Sequence, residues 1–550
     1  MKSRTSFFNK SLLRKDMVRF APAWVLYGAY LLLIFGGSVL GAKASALADS
    51  LSSSISAFGF MNLIYAMLCA QLLFGDLFKS RMCNALHALP IRREGWFITH
   101  LLAGLAFSAV PVVAAGLAFL SALGSYWAAG LLWMAALMLQ FLFFFAVAIL
   151  SVMLVGNRFA AVVVYCILNF LSAIVLWLFY SLYAPFLHGL VLNENIFLKF
   201  CPSVWMVQFG WFSAGGWGGR VLLGTGWGYL ALCALVGVVL LAVALLLYRK
   251  RPLEKAGDFI VFKATAPVFL VLYTFSAGTA FHLFSNVFVG ETMELAFLIV
   301  GLAIGFFTGR MLLERTIRVF RGKTIAGFCT LVAVFGVTLL LTVLDPLSVT
   351  RWVPEEKDVT WVSVDNYSYY AQDEHAITDP QIIREILSVH KHAVENPQEE
   401  NNGQPDVSIR LTYRLKNGRT VQREYLVDTA TVAGVTLEHI LSRPEVVFGA
   451  EYATAQKLFE AIHYIELDKE GLMITDREQL YGLAEALIAD ALEGNLCQQY
   501  VLYKDNGGED YLYIKKQESK TDGKFNAYGW SICYTEQSVH TMAWIKENIK

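Results

Sequence analysis

Gly322-Lys323-Thr324 is the part of this sequence that comes nearest to a nucleotide-binding motif. A phosphate-binding loop needs another glycine five residues before the glycine of Gly-Lys-Thr, so that backbone amides can surround the phosphates. Ile317 occupies that position, and the tripeptide follows a basic segment rather than a strand. We therefore expect no ATPase activity and no bound cofactor on this chain.

Histidines and cysteines are the next candidates for chemistry, as metal ligands or nucleophiles. After Asp345 the sequence contains Glu374-His375 and His390-Lys391-His392, which we expect to be solvated side chains on a loop and a helix. None of the eight cysteines shows the paired spacing of a zinc or redox site. Cys497 and Cys533 share the region after Asp345, either as a disulfide or as two free buried thiols. The sequence thus predicts no catalytic residue and no metal site.

Long apolar stretches dominate the first 345 residues. A helix rises about 1.5 Å per residue, so roughly 20 apolar residues cross a hydrocarbon core about 30 Å thick. Nine stretches are long enough, near 21–40, 55–74, 97–123, 129–155, 160–180, 221–248, 264–281, 292–313 and 325–344. The sequence predicts a polytopic α-helical membrane protein with about nine transmembrane helices.

The basic residues between these stretches predict how the chain is oriented. Connecting segments on one side carry 21 Lys and Arg, whereas those on the other carry only Lys43, Lys199 and Arg220. Short loops rich in Lys and Arg stay in the cytoplasm. We therefore expect a multi-pass protein of the cell membrane with a cytoplasmic N-terminus and, after nine crossings, an extracellular region beyond Asp345.

The region after Asp345 differs in composition from the rest. It contains 33 acidic and 20 basic residues. The region is long enough to form its own hydrophobic core, and its negative charge argues against a nucleic-acid ligand. Asn417-Gly418 between two alternating runs predicts a β-hairpin, and helical patterns occur near 379–395, 452–465 and 476–493. We expect a C-terminal soluble α+β domain over 346–550.

Ionisable residues are nearly absent from the interior of the predicted spans. Transporters driven by an ion gradient usually hold carboxylates or histidines within the bilayer. Here Asn62, Gln71, Gln140 and Asn169 are polar but uncharged, and Asp76 lies at a predicted end. If the protein moves a substrate, the energy is expected to come from another subunit.

The segment between the second and third spans has a helical pattern of its own. Apolar residues recur at spacings of four, four and three, with basic neighbours and a terminating proline. The stripe consists of Phe78, Met82, Leu86 and Leu89, flanked by Lys79 and Arg81 and ended by Pro90. Such a helix is either a connector on the membrane surface or a helix that docks into a groove of a soluble partner.

This segment resembles the coupling-helix region of ABC-2-type transporter permeases. The residues that carry the resemblance are Arg81, Leu86, Leu89, Pro90, Ile91, Arg92 and Arg93, leading into Trp96 and Phe97. The basic and apolar stretch 7–20 resembles the amphipathic interfacial helix that opens these permeases, and 181–220 resembles their partly re-entrant outer hairpin. The resemblance covers about the first 250 residues.

The resemblance implies a subunit without an active site that works with a separate ABC ATP-binding subunit. That partner would hold ATP and Mg²⁺, and a second permease subunit, identical or not, would complete the transporter within membrane lipid. The implied partner-binding residues are Phe78, Met82, Leu86 and Leu89 for packing, Lys79, Arg81, Arg92 and Arg93 for charge, and Pro90 at the end of the helix.

Four parts follow from this interpretation: an interfacial helix at 1–20, a six-helix permease core at 21–250, three further transmembrane helices at 251–345, and the acidic domain. The last two exceed a minimal permease, and the layout resembles larger permeases of Gram-positive bacteria that carry an uncharacterised C-terminal domain. Two other classes remain open. One is a membrane-anchored sensor or binding protein whose outer domain recognises a ligand, and the other is a membrane enzyme.

Overall fold

The computed structural model describes residues 8–39, 43–87, 92–191, 194–214, 220–288, 293–365, 376–396, 406–428, 431–467, 472–498, 510–516, 530–534 and 537–549. The chain divides into two compact units. Met1–Leu182 with Asn193–Phe335 forms the first, here named the membrane unit, and Tyr183–Leu192 with Gly336–Lys550 forms the second, here named the tail unit.

The membrane unit is built from helices. Its elements in chain order are α1 (Lys10–Arg19), α2 (Ala21–Val39), α3 (Ala44–Leu73), α4 (Ser80–His87), α5 (Arg93–Leu123), α6 (Trp127–Leu154), α7 (Arg158–Leu182), α8 (Glu194–Leu198), α9 (Pro202–Trp205), β1 (Phe212–Ala214), β2 (Val221–Leu223), α10 (Gly226–Lys250), α11 (Ala266–Phe288), α12 (Glu294–Glu314) and α13 (Gly322–Leu344), whose last turns belong to the tail unit.

Several of these helices are long and apolar enough to cross a membrane. Within the described residues there are seven such stretches, or eight if α1 and α2, which meet at a 61° bend, count as one span. One of the seven, Arg93–Leu154, contains both α5 and α6. The protein is therefore a polytopic helical protein whose apolar helices indicate a membrane-embedded unit.

A buried chain of hydrogen bonds joins α2, α3 and α6. The Tyr27 hydroxyl donates to Asn62 Oδ1 at 2.8 Å, and Asn62 Nδ2 donates to Gln140 Oε1 at 3.2 Å. Gln140 Nε2 in turn donates to the Ile55 carbonyl at 3.1 Å. Of the polar residues that the sequence places inside the spans, Asn62 and Gln140 thus satisfy each other between helices, as buried polar groups tend to do.

The first helix packs on α5 through polar contacts. Asn9 caps α1 by accepting the Leu12 amide at 3.1 Å, and its own amide donates to Thr99 Oγ1 at 3.2 Å. Asp16 is buried against His100, with 3.5 Å between Oδ2 and Nδ1. The carboxylate of Asp16, on an otherwise basic helix, therefore faces α5.

The segment after α7, predicted as a partly re-entrant hairpin, contains the two short helices α8 and α9 and the hairpin β1–β2. This hairpin is attached to α3 by side-chain acceptors. Asp49 Oδ1 accepts the Ala214 amide at 2.8 Å and Ser52 Oγ accepts the Phe212 amide at 3.0 Å.

The tail unit contains two lobes with separate hydrophobic cores. The first has the antiparallel sheet β3–β4–β5, made of β3 (Val359–Asp365), β4 (Asp406–Leu415) and β5 (Thr420–Asp428), with α14 (Pro380–Glu395) and α15 (Val432–Ser442) packed on it. The second has the strand order β7–β6–β9–β10–β8. Its elements are α16 (Pro444–Val447), α17 (Ala455–Ala461), β6 (Ile462–Leu467), β7 (Leu472–Ile474), α18 (Arg477–Leu492), β8 (Cys497–Gln498), β9 (Asp510–Lys516), β10 (Trp530–Tyr534) and α19 (Val539–Asn548).

The predicted hairpin joins β4 to β5. Gly418 has a φ of +82° and its amide donates to the Leu415 carbonyl at 2.9 Å, the geometry that an Asn-Gly turn favours. The helix predicted over 452–465 is too long, because Ile462–Leu467 is strand β6 paired with β9. Ile462, Ile465 and Leu467 are buried in the hydrophobic core of the second lobe.

A short segment from between α7 and α8 belongs to the first lobe of the tail unit. The Glu424 amide donates to the Gly189 carbonyl at 3.2 Å, and Leu190 forms an antiparallel bridge with Arg423. Tyr183–Leu192, named here the edge segment, therefore lies along β5, the edge strand of the β3–β4–β5 sheet.

Candidate functional site

The candidate site is the segment between α3 and α5, which begins with two buried residues. A short 3₁₀ turn, Gly75–Phe78, follows α3 and brings Leu77 and Phe78 into the protein interior, where their exposed fractions are 0% and 8%. Lys79 has extended backbone, and α4 starts at Ser80. Phe78 therefore precedes the helix instead of continuing its stripe.

The described part of α4 presents a different surface from its base. Lys79 and Arg81 are exposed, and Met82 is 41% exposed, whereas Cys83 is buried. Arg92 is exposed beyond the end of the segment, and Arg93 is half-buried at the start of α5. The predicted partner-binding residues thus divide into one buried anchor, Phe78, and an exposed basic group around Met82.

The side chains of three predicted partner-binding residues lie outside what the structure describes. The side chain of Leu86 is not described, although its backbone lies in α4, and Leu89 and Pro90 lie outside the described residues.

A buried arginine connects the base of α4 to two long helices. Arg251 follows the last residue of α10 and is 2% exposed. Its Nη1 donates to the carbonyls of Val152 at 2.7 Å and Met153 at 3.2 Å, and its Nη2 donates to the carbonyl of Leu77 at 3.4 Å. Burial lowers the pKa of Arg251 to about 10, so the guanidinium stays charged at neutral pH. The charge lies at the carbonyl end of α6, where the helix dipole favours a cation.

The connector after Arg251 is bound to the turn between α6 and α7. The Gly156 amide donates to the Asp258 carbonyl at 2.9 Å, and the Gly257 amide donates to the Gly156 carbonyl at 2.7 Å. A Cβ on Gly156 would lie 2.3 Å from the Lys255 carbonyl oxygen, so the close approach requires glycine. Arg315, at the end of α12, pairs with Asp258 at 2.9 Å.

The start of α5 is attached to the end of α10 beside this connector. Arg93 Nη1 donates to the Arg249 carbonyl at 3.4 Å, and Arg249 Nε pairs with Glu94 at 3.1 Å. The ends of α3, α5, α6, α10 and α12 are therefore linked to one another through Arg249, Arg251 and the connector, beside the base of α4.

The expected solvation of His390 is wrong. His390 is fully buried on α14, with 3.0 Å from Nδ1 to the Tyr413 hydroxyl and 3.0 Å from Nε2 to the Tyr425 hydroxyl. His392 is half-buried, and Glu374-His375 lies outside the described residues. The buried face of α14 consists of Ile382, Ile383, Ile386, Val389, His390 and Ala393, so helical periodicity was the signal that placed His390 inside.

A third group of possible ligand atoms occurs in the second lobe of the tail unit, at Asp490, Glu493 and His540. Asp490 accepts the amides of His540 at 3.0 Å and Thr541 at 2.7 Å, and therefore caps the start of α19. His540 Nε2 lies 3.0 Å from Glu493 Oε1, and this partner raises the pKa of His540. These contacts explain the group as a helix cap and an ion pair.

Cys497 and Cys533 lie directly opposite each other in the antiparallel pair β8–β10. Their side chains, and with them the choice between a disulfide and two free thiols, lie outside what the structure describes.

Sequence reasoning missed the residues that hold the base of α4. Arg249, Lys250 and Arg251 form one basic run, which the charge pattern explains equally well as a cytoplasmic loop. Only the fold shows that Arg251 turns inward. In comparisons with known protein families, curated proteins and solved structures, this chain matches none.

Proposed function

We propose that this chain is the permease subunit of an ATP-binding-cassette exporter and that α4 is its coupling helix. The observation that carries the proposal is the construction of the segment. A short helix with exposed Arg81 and Met82, preceded by exposed Lys79, follows a base whose Leu77 carbonyl is bound by buried Arg251. A soluble partner that moves α4 would therefore move the ends of α6 and α10.

The partner supplies the energy in this proposal. A separate ABC ATP-binding subunit binds ATP with Mg²⁺ and closes on nucleotide, and the closure is transmitted through α4 to the spans. A second permease subunit, the same chain or a related one, completes the transport pathway in the lipid bilayer. Exposed Met82, with Lys79 and Arg81 nearby, would fit an apolar groove with an acidic rim on that subunit.

For the topology we propose nine crossings, made by α2, α3, α5, α6, α7, α10, α11, α12 and α13, with a cytoplasmic N-terminus. The edge segment supports an even number of crossings between α7 and the tail unit. It directly follows α7 in the chain and belongs to the tail unit, and four crossing helices, α10 to α13, separate it from the rest of that unit. An even number of crossings returns the chain to the same side, which the positive-inside rule assigns to the exterior.

The test is the exposed face of α4. We expect Met82→Asp to abolish co-purification of a nucleotide-hydrolysing subunit from native membranes, because a carboxylate replaces the apolar contact and opposes an acidic rim. The bound ATPase, quantified by mass spectrometry and ATP turnover, is expected to fall at least about tenfold, the loss that about 1.4 kcal/mol of binding free energy produces.

Ile317→Asp is the matched control. Ile317 is 81% exposed in the connection between α12 and α13, which is predicted to lie on the same side of the membrane. The same charge there is expected to leave the ATPase bound. Absence of any ATPase from wild-type preparations, or equal loss in both variants, would contradict the coupling-helix proposal.

The alternative class is a membrane-anchored sensor whose tail unit binds a ligand. The tail unit supports it in one respect, because its first lobe contains a buried polar cluster that apolar packing does not require. Ligand binding by that lobe without any ATPase partner would favour the sensor.

A further inference from the structure

The central residue of this polar cluster is Arg423, on the buried face of the β3–β4–β5 sheet. Arg423 lies in the middle of β5 and is only 4% exposed. Side chains two residues apart share one face of a strand, so Tyr425 lies on the same face. On β4 the residue opposite Arg423 is Leu411, and Tyr413 is its diagonal neighbour. Arginine is rarely buried without a paired charge.

The hydrogen bonds of Arg423 leave part of its guanidinium without an acceptor. Nη2 donates to the Val349 carbonyl at 2.8 Å, and the guanidinium carbon lies 5.8 Å from the centre of the Trp352 ring. Nε is buried and has no acceptor among the described residues. Among the residues that the structure describes, no carboxylate forms an ion pair with it. The nearest acidic neighbour in sequence, Glu424, lies on the opposite face of β5 and pairs with Arg410 at 2.9 Å.

The tyrosines beside Arg423 add another donor. Burial, with a smaller effect from the charge of Arg423, lowers the pKa of His390 to about 4, so the imidazole is neutral at pH 7. A neutral imidazole has one N–H and one acceptor nitrogen. It therefore donates to one tyrosine hydroxyl and accepts from the other. The hydroxyl that accepts keeps its own hydrogen, and within the described residues that hydrogen has no acceptor.

Within the described residues, a guanidinium N–H without an acceptor, a spare tyrosine O–H and a positive charge thus lie on one face of a sheet. Each of these donors needs an acceptor, because a buried polar group without one costs free energy. One negatively charged group with several oxygens would satisfy all of them, and arginine binds carboxylates and phosphates with two parallel hydrogen bonds.

We propose that the first lobe of the tail unit binds an oxyanion, a carboxylate or phosphate group, at Arg423, with a tyrosine hydroxyl as second donor. The inference is independent of the permease proposal, because it concerns the tail unit alone. The edge segment lies beside this site: a Cβ on Gly189 would lie 2.4 Å from the Tyr425 hydroxyl. Since the tail region carries 33 acidic and 20 basic residues, long-range attraction does not favour an anion. Local hydrogen bonds must supply the affinity.

The experiment uses the full chain in an uncharged detergent at pH 7.5. Potassium phosphate and potassium acetate are titrated separately against potassium chloride at constant ionic strength. The readouts are thermal unfolding and amide hydrogen exchange over 406–428. We expect a saturable rise in the unfolding temperature of about 2–4 °C for at least one oxyanion, with slower exchange in β5. A response to phosphate alone identifies a phosphate-bearing ligand, and a response to acetate alone identifies a carboxylate.

Variants locate the effect. Arg423→Gln is expected to abolish the saturable response, and Arg423→Lys to weaken it at least about tenfold, because lysine keeps the charge but loses the planar donor pair. Arg410→Gln, on the neighbouring strand, is the matched control and is expected to respond like wild type. Of Tyr413→Phe and Tyr425→Phe, one is expected to weaken the response.

Several results would overturn the proposal. They are an equal response to chloride, no saturable response to either oxyanion in the wild-type protein, and a full response in Arg423→Gln. If Arg423→Gln does not fold, hydrogen exchange of the wild-type chain decides, because slower exchange confined to regions other than β4 and β5 contradicts the site.

Discussion

Arg251 in the membrane unit and Arg423 in the tail unit are two buried arginines with opposite hydrogen-bond balances. Their exposed fractions are 2% and 4%. Arg251 donates to three carbonyl oxygens, two of them at the end of α6. Within the part of the chain that the structure describes, Arg423 donates to one carbonyl and its Nε has no acceptor. Burial alone therefore does not reveal what a charged side chain does.

The difference separates a structural brace from a receptor. Arg251, none of whose nitrogens is among the buried atoms without a partner, holds helix ends in place. A guanidinium with unused donors keeps a capacity for binding. Counting satisfied donors, rather than counting charges, distinguishes the two roles.

Removal of the brace is expected to have the largest effect on stability. Arg251→Ala leaves the carbonyls of Val152, Met153 and Leu77 without their donor and opens a cavity. We expect a loss of about 3 kcal/mol or more in the free energy of unfolding, measured by denaturant titration of the purified chain. Arg249→Ala removes a neighbouring charge that is half exposed, with a side-chain exposure of 50%, and is expected to cost less than about 1 kcal/mol. Equal losses would show that Arg251 is no brace.

Acid is expected to destabilise the buried polar cluster around Arg423 and His390 in the tail unit. The pKa of His390 is about 4 in the folded protein and about 6.5 when unfolded, because burial, helped by Arg423, disfavours the charged form. Between these values the unfolded chain binds more protons. The stability that depends on neutral His390 is therefore fully present above pH 6.5 and is lost as the pH falls toward 4, by up to about 3 kcal/mol.

Hydrogen exchange of β4 and β5 between pH 7 and pH 5 measures this loss locally. His390→Gln is expected to remove the histidine-dependent part of the slope, and His392→Gln, two residues away on the same helix, to retain it. If the pH dependence of local stability is unchanged in His390→Gln, the acid sensitivity belongs to other groups and not to His390.

The contact of the edge segment is expected to give a smaller effect. Gly189 has a φ of +75°, and a Cβ would lie 2.2 Å from a Tyr425 ring carbon. We expect Gly189→Ala to cost about 2 kcal/mol, from backbone strain together with the clash. Gly418→Ala has the strain alone, since φ is +82° and no atom lies within 4 Å of the added Cβ, and about 1 kcal/mol is expected. Thermal unfolding compares the pair, and equal shifts would exclude the clash.

The helices of the membrane unit were accessible to sequence reasoning because their signal is local. Apolar runs of helical length predict α3, α6, α7 and α10 without knowledge of their neighbours. The hairpin at Asn417-Gly418 was likewise predictable from two residues. Strand β6 was not, because its longer pairing is with β9, about fifty residues later in the chain, and the nearer strand β7 pairs only with its last residues, Ile465–Leu467. A pairing at that distance leaves no mark on the segment itself.

The candidate site divides in the same way. The exposed basic group of α4 follows from composition and spacing, whereas the anchor does not. Phe78 has the spacing of a helical stripe, yet a 3₁₀ turn and one extended residue change the phase before α4 begins. The inward direction of Arg251 and Arg423 depends on carbonyls and rings supplied by distant segments. Periodicity describes one element at a time and contains no information on such partners.

The edge segment has a consequence for the order in which the protein forms. It is synthesised well over two hundred residues before β5, the strand that it covers, and α8 to α13 are made in between. Until it meets β5, the sheet has an open edge, the feature through which sheets pair with foreign strands. Completion of the first lobe therefore requires a finished membrane unit. The region after Asp345 expressed alone is expected to aggregate through that edge. A chain whose later helices fail to insert would leave the same edge uncovered. Pairing of the edge segment with β5 therefore reports that the helices in between have been assembled.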